Sequence, residues 1–325
     1  MKKLSMLIIA LGIFICIAAI LLSSKQFFTQ KKQYLWSFES IDTMKYSRDL
    51  AREKLSDSSF DETINRQVKE IAGTGATHIA IATPYDEEFY PILKRWVDAA
   101  RKEKLHVWFR GNFSGWEEWF SYPKITRDEH LKMTRNFLLT HPSLFRDGDI
   151  FTACPECENG GPGDPRQTGD TTGFRKFLID EYSLTKSIFA EKNLNVRSNF
   201  DSMNLDVANL VMDSETTKAL DGIVTVDHYV KSPEKLNDDI TNLAQKSGGK
   251  VVLGEFGAPI PDLTGGMTEL EQSNWLEKTL ELLSKNRHVE GVNYWVGEGG
   301  STQLWDEGGK AKLAVKTITK YYLPK

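Results

Sequence analysis

The sequence predicts a (β/α)8 barrel, and three observations point there. Eight short strand-like runs alternate with helical runs across residues 34–325. The strand-like runs are rich in Val, Ile and Phe, as strands buried on both faces are. The segment after the first run, WSFESIDTMKY, holds no glycine, whereas an open doubly wound sheet usually places a Gly-rich phosphate loop there. Strands that alternate with helices imply a parallel sheet, and eight such units at this length close into a barrel.

The elements follow in order. QYLWSFES (33–40) is the first strand. SFDETINRQVKEIAGTG (59–75) is a helix with Ser59 as its cap, Glu62 three residues on, and Gly73 and Gly75 at its end. THIAIAT (77–83) is a strand, and EEFYPILKRWVDAARKEK (87–104) an amphipathic helix. LHVWFRGN (105–112) is the third strand, followed by a helix over 126–141 that stops before Pro142. DIFTACPE (149–156) is the fourth strand and 171–193 its helix. LNVRSNFD (194–201) is the fifth, followed by a weaker helix over 206–220. DGIVTVDHY (221–229) leads into a helix with Pro233 near its start. GKVVLGEFG (249–257) leads into the helix 268–286, and VEGVNYW (289–295) into a closing helix over 309–323. No second domain, linker or internal repeat interrupts this alternation.

The N-terminus differs. After MKK comes the uncharged apolar run Leu4–Leu22. At ~1.5 Å per residue it nearly spans a bilayer core of ~30 Å. It is longer than a typical signal-peptide apolar region, and no clear small-x-small cleavage site follows it. The reading is a signal anchor, or a cleaved signal peptide, over 1–22 and a tether over 23–33. Lys2 and Lys3 place the N-terminus inside, although Lys25, Lys31 and Lys32 flank the other end. The barrel is therefore expected outside the cytoplasmic membrane, anchored or secreted.

Composition narrows the function classes. With 40% hydrophobic and 26% charged residues, the chain has ordinary globular composition. The net charge is −4 and the Lys and Arg residues are scattered, so no nucleic-acid partner is expected. Cys154 and Cys157 are the only cysteines beyond Cys16 in the apolar run. Their CPEC spacing invites a zinc or redox reading. Zinc needs two further ligands, and no second CxxC or suitably spaced His pair exists. A thioredoxin-type pair opens a helix, whereas the Gly/Pro-rich ENGGPGDPRQTGD follows here. In an exported domain a local disulfide and two free thiols remain equally open. No metal and no cofactor is expected.

Barrel active sites lie at the C-terminal ends of the strands. The polar residues there are Arg110 and Asn112 on strand 3, and Glu156 with Glu158 on strand 4. Asn199 lies on strand 5, Asp227, His228 and Tyr229 on strand 6, Glu255 on strand 7 and Trp295 on strand 8. Alternation groups Thr152, Cys154 and Glu156 on one face, Thr225, Asp227 and Tyr229 on another, and Val251, Leu253 and Glu255 on a third. If these are inward sets, carboxylates from strands 4 and 7 face each other across the mouth. Two carboxylates suit cleavage of a glycosidic bond, one as acid/base and one as nucleophile. Arg110, Asn112, Asp227, Tyr229 and Trp295 would hold the sugar. Trp116 and Trp119, in FSGWEEWF, either line the cleft or pack. His228 reads as structural.

This layout resembles the clan A glycoside hydrolases, the retaining (β/α)8 group that includes cellulases and mannanases. The resemblance covers residues 34–325. It rests on LGEFGAP around Glu255, on NYWVGEGG with Trp295, and more weakly on TQLWDEGGKAKLAVKTITKYY. It implies an acid/base Glu after strand 4, matched by Glu156, and a nucleophile Glu after strand 7, matched by Glu255. It also implies that Trp295 floors a sugar subsite and that Tyr229 hydrogen-bonds the nucleophile. The substrate so implied is a β-linked oligo- or polysaccharide. Three departures stand out. Pro155 occupies the place of the family's Asn, which holds the sugar 2-hydroxyl. Asp227 stands where the cellulase-like members often carry His. The Arg often seen at the end of strand 2 is absent from IATPYDE, leaving Arg110 as an open candidate for its role. Glu158 competes with Glu156 as the acid. The alternative to an enzyme is a membrane-tethered glycan-binding protein on an impaired barrel, motivated by Pro155.

Overall fold

The computed structural model describes residues 33–44 and 46–324, and Tyr34–Leu323 form one compact unit. Its wall is eight parallel strands: β1 (Phe38–Asp42), β2 (His78–Ile81), β3 (His106–Phe109), β4 (Ile150–Phe151), β5 (Ser202–Asn204), β6 (Ile223–Asp227), β7 (Lys250–Phe256) and β8 (Val289–Tyr294). The ladder runs β4-β3-β2-β1-β8-β7-β6-β5. The segment just before β5 closes it. Arg197 donates to the Asp149 carbonyl (3.0 Å), and Phe151 donates to the Arg197 carbonyl (2.8 Å). The eight-unit barrel expected from the alternation is therefore present.

Its principal helices are α1 (Phe60–Gly73), α2 (Tyr90–Lys102), α3 (Arg127–Thr140), α4 (Thr171–Glu191), α5 (Leu205–Val211), α6 (Pro233–Ser247), α7 (Glu269–Lys285) and α8 (Leu313–Tyr322). Local chemistry sets their starts. Thr126 with Glu129, and Thr268 with Glu271, form capping boxes. Ser232 caps α6, whose first residue is Pro233. Ser59 does not cap α1 as expected: it already has helical backbone, and its hydroxyl donates to Asp57 instead. The weak helix expected over 206–220 is two pieces, α5 and Ser214–Ala219.

The core has two layers. Ile41, Ile79, Val107, Phe151, Val224, Val251 and Leu253 pack outward against the helices. Phe38, Ala80, Trp108, Ile150, Phe200, Ile223 and Val252 fill the barrel interior. Phe38 meets Trp108 and Phe200 edge to face, with centroids 5.4 and 5.6 Å apart. β8 gives way to this ring at Gly291, where a Cβ would lie 2.2 Å from Phe38. Towards the C-terminal ends of the strands the interior turns polar, with Asp42, Arg110, Ser202, Asp227 and Asn293 all buried.

Two strands differ from expectation. β4 stops at Phe151 rather than reaching Glu156. Cys154 and Cys157 are joined by a disulfide with Cα atoms 5.3 Å apart. Three extended residues would span about 10 Å, so this segment must turn. The expected strand 5 over 194–201 bonds only to the β4 side, and ladder pairing with β6 begins at Ser202. The strand end therefore lies beyond the predicted one. No helix among the described residues is long and apolar enough to cross a membrane. The expected anchor over 1–22 and nearly all of the tether over 23–33 lie outside the described residues.

Candidate active site

Arg110, just past β3, organises the mouth of the barrel. Its Nη1 donates to Asp42 Oδ2 (3.0 Å), Glu255 Oε1 (3.0 Å) and the Gly254 carbonyl (2.9 Å). Its Nη2 donates to Asp227 Oδ2 (2.9 Å) and Ser202 Oγ (3.1 Å). One buried cation thus serves three carboxylates from β1, β6 and β7. Burial opposes its charge, but Asp227, Glu255 and Asp42 outweigh that and raise its pKa. Burial pushes Asp42 up to about 6 despite Arg110, and pushes Asp227 well above the usual carboxylate range.

Glu255 has a second donor: the Tyr229 hydroxyl, 2.6 Å from Oε2. Burial and then the Glu255 charge drive Tyr229 well above the usual phenol range, so it stays a donor. Simple strand alternation does not carry Glu255 to the interior. Val251 and Leu253 face the helices, so plain alternation would send Glu255 outward with them. An extra residue intervenes. Against β8, Leu253 pairs with Val292 and Phe256 with Tyr294. Against β6, Leu253 pairs with Val226 and Glu255 with Asp227, skipping Gly254. This bulge shifts the phase and delivers Glu255 to the mouth. Gly254 makes it possible, since a Cβ there would lie 2.3 Å from Asp227 Oδ1.

Glu156 arrives by a different route. Thr152 faces inward, taking the Trp108 indole N–H (2.9 Å) and donating to the Phe200 carbonyl (2.8 Å). Cys154 instead packs in the outer core, so Thr152, Cys154 and Glu156 do not share one face. The chain turns through the disulfide loop, and Glu156 takes left-handed backbone with φ 46°. Its N–H donates to the Ser202 carbonyl (2.8 Å), and Asn159 Nδ2 donates to its Oε2 (3.1 Å). Glu156 and Glu255 open on one cleft, with Pro155, Arg48, Glu117 and Trp119 on its wall. Burial, then the charges of Glu255 and Glu158, push Glu156 up to about 7 against the pull of Arg110.

The other expected site residues separate into two groups. Asp227 and Tyr229 join the Arg110–Glu255 network. Trp295, half-buried after β8, meets Tyr229 edge to face at 5.9 Å. Glu158, Asn112 and Asn199 do not join it. Glu158 is buried and its Oε1 accepts from the Asn204 N–H (2.6 Å) and Nδ2 (2.9 Å). Asn112 is buried, paired through Oδ1 with His130 (2.8 Å) and through Nδ2 with Cys154 Sγ (3.5 Å). Asn199 donates to the Leu220 carbonyl (2.9 Å) and lines a cavity near the starts of β6, β7 and β8. It misses the mouth because the strand runs on to Ser202–Asn204. Trp116 is core, stacked on Phe177 at 5.2 Å, while Trp119 lies on the cleft under Arg48 at 4.0 Å. His228 pairs with Asp239 (2.9 Å).

Sequence reasoning missed Asp42, Ser202, Asn293, Arg48 and Glu117. Asp42 was hidden because the first strand ends two residues later than its apolar pattern. Glu117 sits in GWEEW, where two adjacent glutamates gave no phase. Burial, opposed by Arg48 and aided by Glu156, pushes Glu117 up to about 8.

Compared by sequence, the chain matches no protein-family model and no curated protein. Compared by structure, it resembles a β-glycosidase (BGL167) with a TM-score of 0.58 at 12% identity, over 89% of this chain and 96% of that one. It shares its barrel with solved glycoside hydrolases. A β-D-glucuronidase from Dictyoglomus thermophilum follows at TM-score 0.56 and 15% identity, over 90% of this chain and 51% of that one. A Ruminococcus gnavus β-glucuronidase has TM-score 0.56 and 13% identity, over 81% and 46%. The chain thus spans about half the length of these two glucuronidases. At such identities the likeness establishes the (β/α)8 fold.

Proposed function

We propose that this protein is a retaining glycoside hydrolase that cleaves a β-linked oligo- or polysaccharide by double displacement. One observation carries the reading. Two glutamates open on one cleft at the C-terminal strand ends, in contrasting environments. Glu255 is fixed by Arg110 and Tyr229. Glu156 is pushed up to about 7, so a large share of it keeps its proton at neutral pH. The glycosidase structures that share the barrel support the same class of chemistry.

In the first step Glu255 attacks the anomeric carbon while Glu156 gives its proton to the departing glycosidic oxygen. A covalent glycosyl ester on Glu255 results. In the second step Glu156, now a carboxylate, takes a proton from water. That water displaces Glu255 and releases the sugar with its original configuration. Arg110 and Tyr229 hold the Glu255 oxygens throughout, leaving the carboxylate poised rather than free to rotate. Trp295, beside Tyr229, offers the sugar an apolar face.

The test is Glu255→Gln against a panel of aryl β-glycosides and polysaccharides. The variant should lose hydrolysis of every substrate the native protein cleaves. Retained turnover would remove Glu255 from the mechanism. Binding without any reducing-end release by the native protein would favour the glycan-binding alternative. We further propose that Leu4–Leu22 targets the barrel outside the cytoplasmic membrane, as an anchor or cleaved signal. The disulfide supports an oxidising compartment, and fractionation of cells producing the full chain tests it.

A further inference from the structure

Resting on the glycosidase reading above, we propose that the Cys154–Cys157 disulfide is a positioning element for the general acid Glu156. The two cysteines are separated by three positions and enclose Pro155 and Glu156 in one small covalent ring. Both cysteines are buried. Neither lines the cleft.

The ring explains a conformation that the residues alone would not choose. Glu156 holds left-handed backbone, φ 46° and ψ 47°. That region crowds the Cβ of any residue but glycine, so something must impose it. Ring closure does so from both sides. On one side Pro155 has its own φ locked by the pyrrolidine. On the other, Cys157 is tied back towards Cys154. Two neighbours hold the ring in place. Asn112 Nδ2 reaches Cys154 Sγ at 3.5 Å, and the Trp116 indole donates to the Cys157 carbonyl at 3.0 Å. Asn112 is itself held by buried His130, which pairs with Glu181 at 2.6 Å. A buried polar network thus ends on the disulfide, and the disulfide ends on Glu156.

This gives Pro155 a role. The residue that displaces the family's sugar-binding Asn stiffens the ring that aims the acid. With the ring open, the bonds from Glu156 N–H to Ser202 and from Asn159 N–H to the Glu156 carbonyl remain. The barrel should therefore stay folded while the Glu156 carboxyl loses its fixed aim.

The experiment compares oxidised protein, protein reduced with dithiothreitol, and the double variant Cys154→Ala/Cys157→Ala. Reduction adds two electrons and two protons to the disulfide to give two thiols, and dithiothreitol leaves as its cyclic disulfide. Alkylation and mass measurement confirm the thiol state, and near-UV circular dichroism confirms the fold. Each form is assayed on phenyl and dinitrophenyl β-glycosides of one sugar. The phenyl leaving group needs a proton, whereas the dinitrophenyl group leaves without one. General acid catalysis contributes ~10²–10⁴-fold, so mispositioning should cut kcat/KM for the phenyl substrate by about tenfold or more. For the dinitrophenyl substrate kcat/KM, which does not include the base-assisted second step, should change little, and reoxidation should restore the phenyl rate. If the buried bond resists reduction, the double variant is read; if the variant does not fold, the reduced protein is read. Equal losses on both substrates, or no loss on either, would overturn the proposal and leave the glycosidase reading intact. No turnover of any glycoside by the oxidised protein would sink both.

Discussion

Replacing Glu255 with Gln should change the titration of Glu156, and the size of that change follows from the site. The Glu156 carboxyl rises from an ordinary 4.5 to about 7, with burial as the largest cause and the Glu255 charge as the second. The substitution is nearly isosteric, so burial is retained and only the second cause disappears. Glu156 should therefore titrate lower in the variant than in the native protein. Coulomb's law gives a ceiling. At the ~5 Å expected of a retaining pair and an effective dielectric of ~20, the full repulsion is about 3 kcal/mol. The Arg110 charge nearby screens it below that ceiling. The assay is carbon-detected NMR of side-chain-labelled glutamate, with Glu156→Gln used for assignment. Under the proposed mechanism the same pKa sets the alkaline limb of the native protein's activity. Activity requires protonated Glu156, so kcat/KM should fall as pH rises through about 7. An unchanged or higher Glu156 pKa in the Glu255 variant would refute the electrostatic coupling of the pair.

Three further outcomes follow from particular contacts. Tyr229→Phe removes the 2.6 Å bond to Glu255. A hydrogen bond to a charged group is worth ~1.5–3 kcal/mol, so kcat should fall by roughly 10–100-fold in steady-state assays. Glu158→Ala should cost ~1–3 kcal/mol in denaturant unfolding through the unpaired Asn204 donors, and azide should not alter its kinetics. Glu156→Ala should instead be rescued by azide on activated glycosides, because azide needs no general base. Glu39, buried on β1, is pushed by desolvation up to about 7. Because its folded pKa lies above its unfolded one, its contribution is complete below about pH 4.5 and is lost as pH rises through 7. Glu39→Gln should therefore be more stable than the native protein at pH 8, by about 3 kcal/mol, and near parity at pH 4, measured by urea unfolding.

The barrel was legible because most strands and helices announce themselves by period and by turn residues, although the fifth strand lies later than its pattern and the helix after it is split. Glu255 was legible from LGEFGAP, but the reason for its direction was not. Alternation assumes an uninterrupted ladder, and the bulge at Gly254 breaks it; the glycine inside an apolar strand was the available signal. The same limit explains Glu156. Its approach depends on the Cys154–Cys157 bond, which the sequence left open between disulfide and thiols. Asn112 and Asn199 failed for a different reason. Polar residues near a strand end read alike whether they face the mouth, the helices or the next loop. Only the partners distinguish them: His130 and Cys154 for Asn112, Leu220 for Asn199. The Arg110 hub joins residues that are far apart in sequence, and no local pattern encodes such a meeting.

In the proposed mechanism Glu255 forms a covalent glycosyl ester while Glu156 handles the proton. The most direct measurement uses a fluorinated glycoside of the cleaved sugar, whose fluorine beside the anomeric carbon slows the second step. Intact mass followed by peptide mapping locates any adduct. One glycosyl group is expected on Glu255, and none in Glu255→Gln. Continued turnover with no adduct, or an adduct on Asp227, Glu156 or another carboxylate, would contradict it.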